Sequence, residues 1–477
     1  MDDIAVETVD GVTVVVPASL AAISTYVLLE QEGWFEKELG FVRRFLQPGM
    51  SAIDVGANHG AYALPMLARV GAAGRVLAIE PNAAVAARLR RSAAAWPASC
   101  FALAEVAVSD APGRGTLVVE SASEAGRLGR DLLPGAAGVP VRTLDDLAQE
   151  HLSAPIDLLK IDVEGHELAA MRGARQLLRE SAPVVLFEMQ SAAVVDHGPM
   201  AQLRADGAAI ARWLPGGPLV IVAPDERIDP YEINLLAFAG EAQARLRARG
   251  LLSLPAERGV PSAPGTGLSE LVALPFLQSI SDGFARADRL HPLYRAALDS
   301  YAVWRDADRD MDARVAAIRD AAARLKALCR EAPTHARLST LGRVASEAGE
   351  REAAVQAMER FLVDAGQSGV TLDEPFWPPL PRFDALQPVK ATDALIVAVI
   401  DAHAQWKGFS SYFSFPLEEF FWACGSPHAS PAMRRRSCLA RWRVGRPVPD
   451  GDIEAAAQGA LNAPLWRDGT VARLARR

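Results

Sequence analysis

The sequence predicts an α/β fold, a parallel sheet with helices on both faces, followed by a mainly α-helical region. Three observations carry the prediction. Between residues 50 and 245, apolar runs of strand length alternate with helical periodicity, as in successive strand-helix-strand crossovers. A stretch rich in Pro, Gly and Ser, residues 251–267, then interrupts the alternation. Beyond it the strand signals vanish and a helical period takes over.

At 477 residues the chain is long for one domain. We divide it into an N-terminal strand and helix extension (1–50), an α/β domain (51–245), a linker (246–285) and an α-helical domain with one repeat-like helix pair (286–477). In the extension, Val12 to Val16 forms a strand stopped by Pro17, and residues 34–46 form an amphipathic helix ended by Pro48-Gly49. The expected role of this segment is packing against the sheet edge, with a lid over a ligand as the alternative. Core strands follow at 51–55, 75–79, 100–108, 156–161 and 183–188, with helices near 62–70, 83–95 and 166–180. An insertion, 109–150, holds a hairpin strand at 115–120, a glycine-rich loop at 121–138 and a helix capped by Thr143. A helix near 199–206, a strand at 209–214, the turn Pro215-Gly216-Gly217-Pro218 and an apolar strand at 233–239 suit an antiparallel hairpin at the sheet edge. In the last region helices are expected near 293–305, 309–330, 336–347 and 351–364. Leu341-Gly342, Ala345, Gly349 and Ala354 match the small-residue core of one tetratricopeptide-like pair, a pattern an ordinary helical hairpin also satisfies.

The formal charge of −8 argues against a nucleic-acid footprint. The acidic start, Met1-Asp2-Asp3, and the absence of any run of ~18 apolar residues predict no membrane span and a cytoplasmic protein. Cys100, Cys329, Cys424 and Cys438 have no metal or disulfide spacing.

Chemistry concentrates in two stretches. In Ile53-Asp54-Val55-Gly56-Ala57-Asn58-His59-Gly60 a strand breaks into glycines that let a ligand approach the main chain, and a helix follows. The spacing lacks the third glycine of a dinucleotide loop, while the next strand ends in Glu80, placed to accept ribose hydroxyls. Adenosine without a pyrophosphate fits this pair, which points to S-adenosylmethionine, with Asp54 available to the amino end of its methionine part. The second stretch, Leu158 to Glu167, brings Asp162, Glu164, His166 and Glu167 to the carboxyl end of a buried strand beside that loop. Lys160 and Asp162 share one face of the strand, so a structural ion pair is the plainer account of both. Helix capping is the plainer account of Glu164 and Glu167.

Asp54-Val55-Gly56-Ala57-Asn58, Ile79-Glu80-Pro81-Asn82, Ala107-Val108-Ser109-Asp110, Thr143-Leu144-Asp145, Leu159 to Gly165 and the strand at 183–188 together resemble the FkbM-type methyltransferases, in order and in spacing. The resemblance covers residues 10 to 240. It implies the Rossmann-like, seven-stranded class I methyltransferase fold, S-adenosylmethionine as donor, and methylation of a hydroxyl on a sugar, glycan or polyketide-like acceptor. By the same resemblance Asp54, Gly56 and Gly60 line the methionine side of the cofactor, Glu80 holds its ribose, Asn82 supports that loop, and the segment from Glu105 to Val108 borders the adenine. Asn58 and His59 fall nearest the reactive sulfonium.

An alcohol needs a proton acceptor as the new bond forms. Asp162 and Glu164 are the favoured acids, Glu188 the next, and His59 or His166 a further base. A magnesium-like ion held by two acids would serve the same end, yet no ligand spacing supports a metal. A nicotinamide-dependent oxidoreductase is disfavoured by the missing glycine. The other alternative is a scaffold protein with a non-catalytic methyltransferase-like domain, its helical part binding a protein partner.

Overall fold

The structure, a computed structural model, describes residues 3–119, 126–129, 138–191, 194–195, 197–254, 264–278, 280 and 290–475. Its centre is a nine-stranded sheet built from β1 (Ser51–Val55), β2 (Arg75–Ile79), β3 (Phe101–Ala104), β4 (Leu158–Ile161), β5 (Val184–Glu188), β6 (Ala209–Trp213), β7 (Leu219–Ile221), β8 (Asn234–Phe238) and β9 (Leu252–Ser253). The strand order is β9-β7-β6-β8-β5-β4-β1-β2-β3. β1 to β5 are mutually parallel, and β8 enters antiparallel between β5 and β6. Those seven strands give the seven-stranded sheet that the resemblance of the motifs implied. The order reverses between β1 and β4, which opens a crevice at their carboxyl ends, where such sheets bind ligands.

Several expectations are corrected by long-range pairing. The apolar run 100–108 divides: Phe101–Ala104 pairs with β2, while Ala107–Val108 turns away and pairs with Gly138–Arg142 in a second, four-stranded sheet. The turn at Pro215 to Pro218 joins β6 to the three-residue β7, too short to register as a strand. The later strand, β8, lies inside the sheet, buried at every position, not at the edge. The glycine-rich loop at 121–138 falls largely outside the described residues. Within the stretch expected to be linker, Leu252–Ser253 extends the sheet and Thr266–Val272 is helical.

The N-terminal extension holds a hairpin, Asp3–Glu7 with Thr13–Pro17, and two helices, Ile23–Gln31 and Leu39–Phe45. The first helix is buried on almost every side and so shows no amphipathic period. The second starts later than expected, because residues 34–38 run irregularly into the crevice.

The helical region contains Pro292–Arg305, Met311–Glu331, His335–Glu347, Arg351–Ser368, Ala391–Gly408 and Pro431–Arg443, with shorter helices between and after them. Asp310, Thr334 and Ser430 cap three of them through side-chain bonds to the first-turn amides. In the hairpin of His335–Glu347 and Arg351–Ser368 the Met358 methyl packs over Gly342, 2.4 Å from where a Cβ would stand.

Hydrophobic clusters join the two halves. Leu214 and Val220 of the edge hairpin pack with Tyr301, Trp304 and Phe376. Val6, Tyr26 and Phe41 share a core with Leu439, Trp466 and Leu474 near the C-terminus. On the other face of the sheet Ile53, Leu77, Leu159 and Phe187 pack with Leu144, Met171 and Leu177. No helix among the described residues is long and apolar enough to cross a membrane.

Candidate active site

The loop after β1 turns through left-handed backbone at Gly56 (φ +78°), Asn58 (φ +47°) and Gly60 (φ +93°). Gly56 is required twice over, because a Cβ there would sit 1.8 Å from the Asp162 carbonyl oxygen. The loops following β1 and β4 therefore touch through main chain. The Gly56 and Ala57 amides both donate to the Ile79 carbonyl at 3.0 Å, which fixes the loop against the end of β2.

Glu80 joins this framework. Its Oε2 accepts the Asn58 amide at 3.0 Å, and its Oε1 accepts the Asn82 amide at 2.8 Å. Asn82 in turn caps the helix Ala83–Ser92 by accepting the Ala84 amide at 3.1 Å. Burial pushes the Glu80 carboxyl up to about 7, against the pull of the Asn82 and Asn58 amides. The result is a fixed carboxyl group with lone pairs to spare, a suitable acceptor for vicinal hydroxyls.

Across the switch point lies a cluster of acids around one ammonium. Lys160 Nζ is 2.9 Å from Asp162 Oδ2 and 3.6 Å from Asp54 Oδ1, and it rests 4.7 Å from the Tyr62 ring centroid. Burial opposes its charge, but Asp162, Asp54 and Glu36 outweigh that and hold it protonated. Asp54 is wholly buried, and neither carboxylate oxygen makes a hydrogen bond of normal geometry. Burial raises its pKa, with Lys160 opposing. Asp162 keeps 28% of its side chain exposed, so it is the member of the pair that meets solvent.

Glu36 completes the cluster from the N-terminal extension. It accepts hydrogen bonds from Trp34 Nε1 (2.7 Å), Tyr62 Oη (2.7 Å) and Asn234 Nδ2 (2.6 Å). Next to it, Lys37 pairs with the buried Glu232 at 2.5 Å. The extension thus reaches the crevice itself and does more than pack on the sheet edge. Sequence reasoning missed Glu36, Tyr62 and Asn234, which lie far apart in the chain and carry no motif.

Glu188 ends β5 with one carboxyl oxygen buried and unpartnered. Burial, then the charges of Asp162, Glu164 and Glu167, move its pKa far above the ordinary carboxylate range, so it is protonated at neutral pH.

The remaining expected residues are placed as follows. Glu164 takes left-handed backbone (φ +53°) at the turn after β4. Glu167, the first residue of the helix Glu167–Arg172, does not cap that helix but ties down the loop before it: its Oε1 accepts the Val163 amide at 3.1 Å and the Gly165 amide at 3.0 Å. His166 Nε2 lies 3.0 Å from Ser109 Oγ, tying this turn to the second sheet. His59 is buried, with its Nδ1 3.2 Å from Ser24 Oγ, so its ring packs against the N-terminal helix. Val108 is buried in the core with Leu144 and Leu147. Nearer to Glu80 is Ala104, whose carbonyl accepts the Glu80 amide at 3.1 Å.

Residues 54–209, which carry this loop and these acids, match the family model described as the methyltransferase FkbM domain. This region is similar to the FkbM-type methyltransferase domains. Among solved structures, a methyltransferase FkbM from Methylobacillus flagellatus KT is 18% identical, covering 42% of this chain and 50% of that one, with a TM-score of 0.28. A SAM-dependent O-methyltransferase from Thermotoga maritima is 13% identical over 42% of this chain and 63% of that one, with a TM-score of 0.24. Aeropyrum pernix fibrillarin, in complex with natively bound S-adenosyl-L-methionine, is 13% identical over 50% of this chain and 82% of that one, with a TM-score of 0.25. The chain therefore spans half the length of the first of these relatives. No curated protein matches it.

Among the described residues, no group of three or more His, Cys, Asp or Glu side chains is arranged to hold a metal ion. Cys100, Cys424 and Cys438 are free thiols buried away from this site, and Cys329 is free and half-buried.

Proposed function

We propose that the chain is an S-adenosylmethionine-dependent O-methyltransferase acting on a hydroxyl of a sugar, glycan or polyketide-like acceptor. The observation that supports the cofactor assignment is the glycine loop after β1, clamped to Glu80 and set beside Asp54, a carboxylate buried at the switch point with Lys160 3.6 Å away. Lys160 is shared between Asp54 and Asp162, which leaves the two carboxylates with one net negative charge to offer a cationic ligand. Glu80 would accept the ribose hydroxyls, Asp54 would accept the ammonium of the methionine part, and Gly56 and Gly60 leave room for close approach. When bound, S-adenosylmethionine supplies a methyl group already activated by positive sulfur.

The rest of the chemistry belongs to the chain. Asp162 is held by Lys160 through Oδ2, which leaves Oδ1 to take the acceptor hydroxyl proton as the carbon–oxygen bond forms. Glu188, protonated, would donate a hydrogen bond to the acceptor, a role different from the base expected of it. The segment from Trp34 to Glu36, pinned to Tyr62 and Asn234, would keep water from that side of the crevice.

The acceptor class rests on the resemblance of the motifs. A screen of sugar and polyketide-like alcohols with methyl-labelled S-adenosylmethionine tests it. Label in an oxygen-linked methyl group, lost in Asp162→Asn, is the expected result; label transferred only to nitrogen or carbon would overturn the O-methyl assignment.

A further inference from the structure

A half-open cavity of about 320 Å3 lies between the N-terminal helix and the helical region. Its wall is shared by Glu30 and Phe35 from the first, and by Arg351, Asp401, Phe409 and Arg436 from the second. It is separate from the crevice, since none of Asp54, Glu80, Asp162 or Glu188 lines it, although Phe35 immediately precedes Glu36.

The lining carries two carboxylates, Glu30 and Asp401, and two guanidiniums, Arg351 and Arg436, while a further arginine, Arg382, neutralises Asp401 from outside the lining. Glu30 is satisfied by Ser410 Oγ (2.8 Å), Ser411 Oγ (2.7 Å) and Arg436 Nε (2.6 Å). Asp401 is satisfied by Arg382 (3.0 Å) and Gln405 (2.9 Å). Each acid thus has its own arginine. Arg351 has no carboxylate partner among the described residues. It donates to the carbonyls of Trp406 (2.5 Å) and Gln405 (2.8 Å) and lies 3.7 Å from the Phe409 ring centroid. Burial pushes its pKa down to about 10, against the more distant pull of Asp229 and Glu232.

A second donor points the same way. Arg436 is 6% exposed, and its Nη1 has no hydrogen-bond partner among the described residues. A buried guanidinium N–H without an acceptor is costly, and an anionic oxygen would supply a charge-assisted bond. Beside these donors, Phe35 and Phe409 pack edge to face at 5.7 Å and offer apolar surface to a ring.

We propose that this cavity binds a small anionic molecule whose phosphate or carboxylate is held by Arg436 and Arg351 and whose ring packs on Phe35 and Phe409. The site draws its walls from both halves of the chain, so it exists only when they are docked. It does not depend on the methyl-transfer reading.

The test is isothermal titration of the full chain, at fixed ionic strength, with inorganic phosphate, ribose 5-phosphate, glucuronate and neutral glucose. Ribose 5-phosphate or glucuronate should bind at least about ten-fold more tightly than glucose, and ribose 5-phosphate more tightly than inorganic phosphate, which lacks the ring. The better of the two anions separates phosphate from carboxylate. Arg436→Lys keeps a cation for Glu30 but loses Nη1, and Ala432→Trp obstructs the exposed rim without touching an ion pair. Each should weaken that anion about ten-fold or more while leaving S-adenosylmethionine titration unchanged; Arg436→Lys also lowers the melting temperature, since it gives up the bond to the Phe409 carbonyl, whereas Ala432→Trp leaves it unchanged. Binding of none of the four probes, glucose binding as well as the anions, or anion affinity untouched by Ala432→Trp would each overturn the proposal. Because the cofactor is titrated separately, anion binding without cofactor binding would sink only the methyl-transfer reading, and the reverse pattern only this one.

Discussion

The Asn58 amide donates to Glu80 Oε2 at 3.0 Å, so the glycine loop after β1 and the acid that ends β2 form one hydrogen-bonded unit. With Asn82 on the other oxygen, Glu80 organises the loop before any ligand arrives. Replacing it should therefore affect binding more than folding. Glu80→Ala should weaken S-adenosylmethionine by roughly 2–3 kcal/mol, or about 30- to 150-fold, from two lost charge-assisted bonds. Glu80→Gln should fall between. Titration calorimetry reads both, and an unchanged affinity in Glu80→Ala would remove the assigned ribose contact.

The same carboxyl sets a pH dependence. Its folded pKa, about 7, lies above the value of 4.5 expected when unfolded. The free protein consequently loses stability as pH rises through that window, because ionisation is easier in the unfolded chain. Hydroxyl donors favour the ionised form, so cofactor affinity should rise between pH 6 and 7 and level off above about 8. Titrations across that range, with thermal unfolding of the free protein, check both signs.

Gly56→Ala should abolish cofactor binding and destabilise the fold by several kcal/mol, because both the backbone angle and the Asp162 carbonyl oppose a Cβ. Gly216→Ala is the control. It has comparable φ (+71°) but nothing within 4 Å of the added carbon, so only about 1 kcal/mol of strain is expected there. Chemical denaturation of the pair measures the difference.

Lys160→Met would leave Asp54 and Asp162 without their shared ammonium. The expected loss is about 3–5 kcal/mol near neutral pH. It should shrink in acid, where Asp54 can take a proton. A loss that stays constant from pH 5 to pH 8 would show that the ion pair contributes little.

Much of this architecture was legible in the residues. β1 and β2 begin and end at the expected positions, because each apolar run is bounded by glycine or by the acid that leaves the sheet. The ion pair of Lys160 and Asp162 follows from the two-residue period of a strand. The division of 100–108 was not legible, since Ala104 and Ala107 look alike in sequence and differ only in the strand each can reach. Glu36 was hidden for a related reason: Tyr62 and Asn234 meet it only once the sheet has formed. The helix Ile23–Gln31 carries the buried Glu30, whose partners Ser410, Ser411 and Arg436 lie some four hundred residues away, and nothing local announces them.

The central claim is that the Asp54 and Glu80 crevice holds S-adenosylmethionine. Isothermal titration of the purified protein with S-adenosylmethionine and, separately, with NADH tests it most directly. The account predicts micromolar binding of the first, lost in Glu80→Ala, and none of the second. Binding of NADH alone, or of neither, would contradict it.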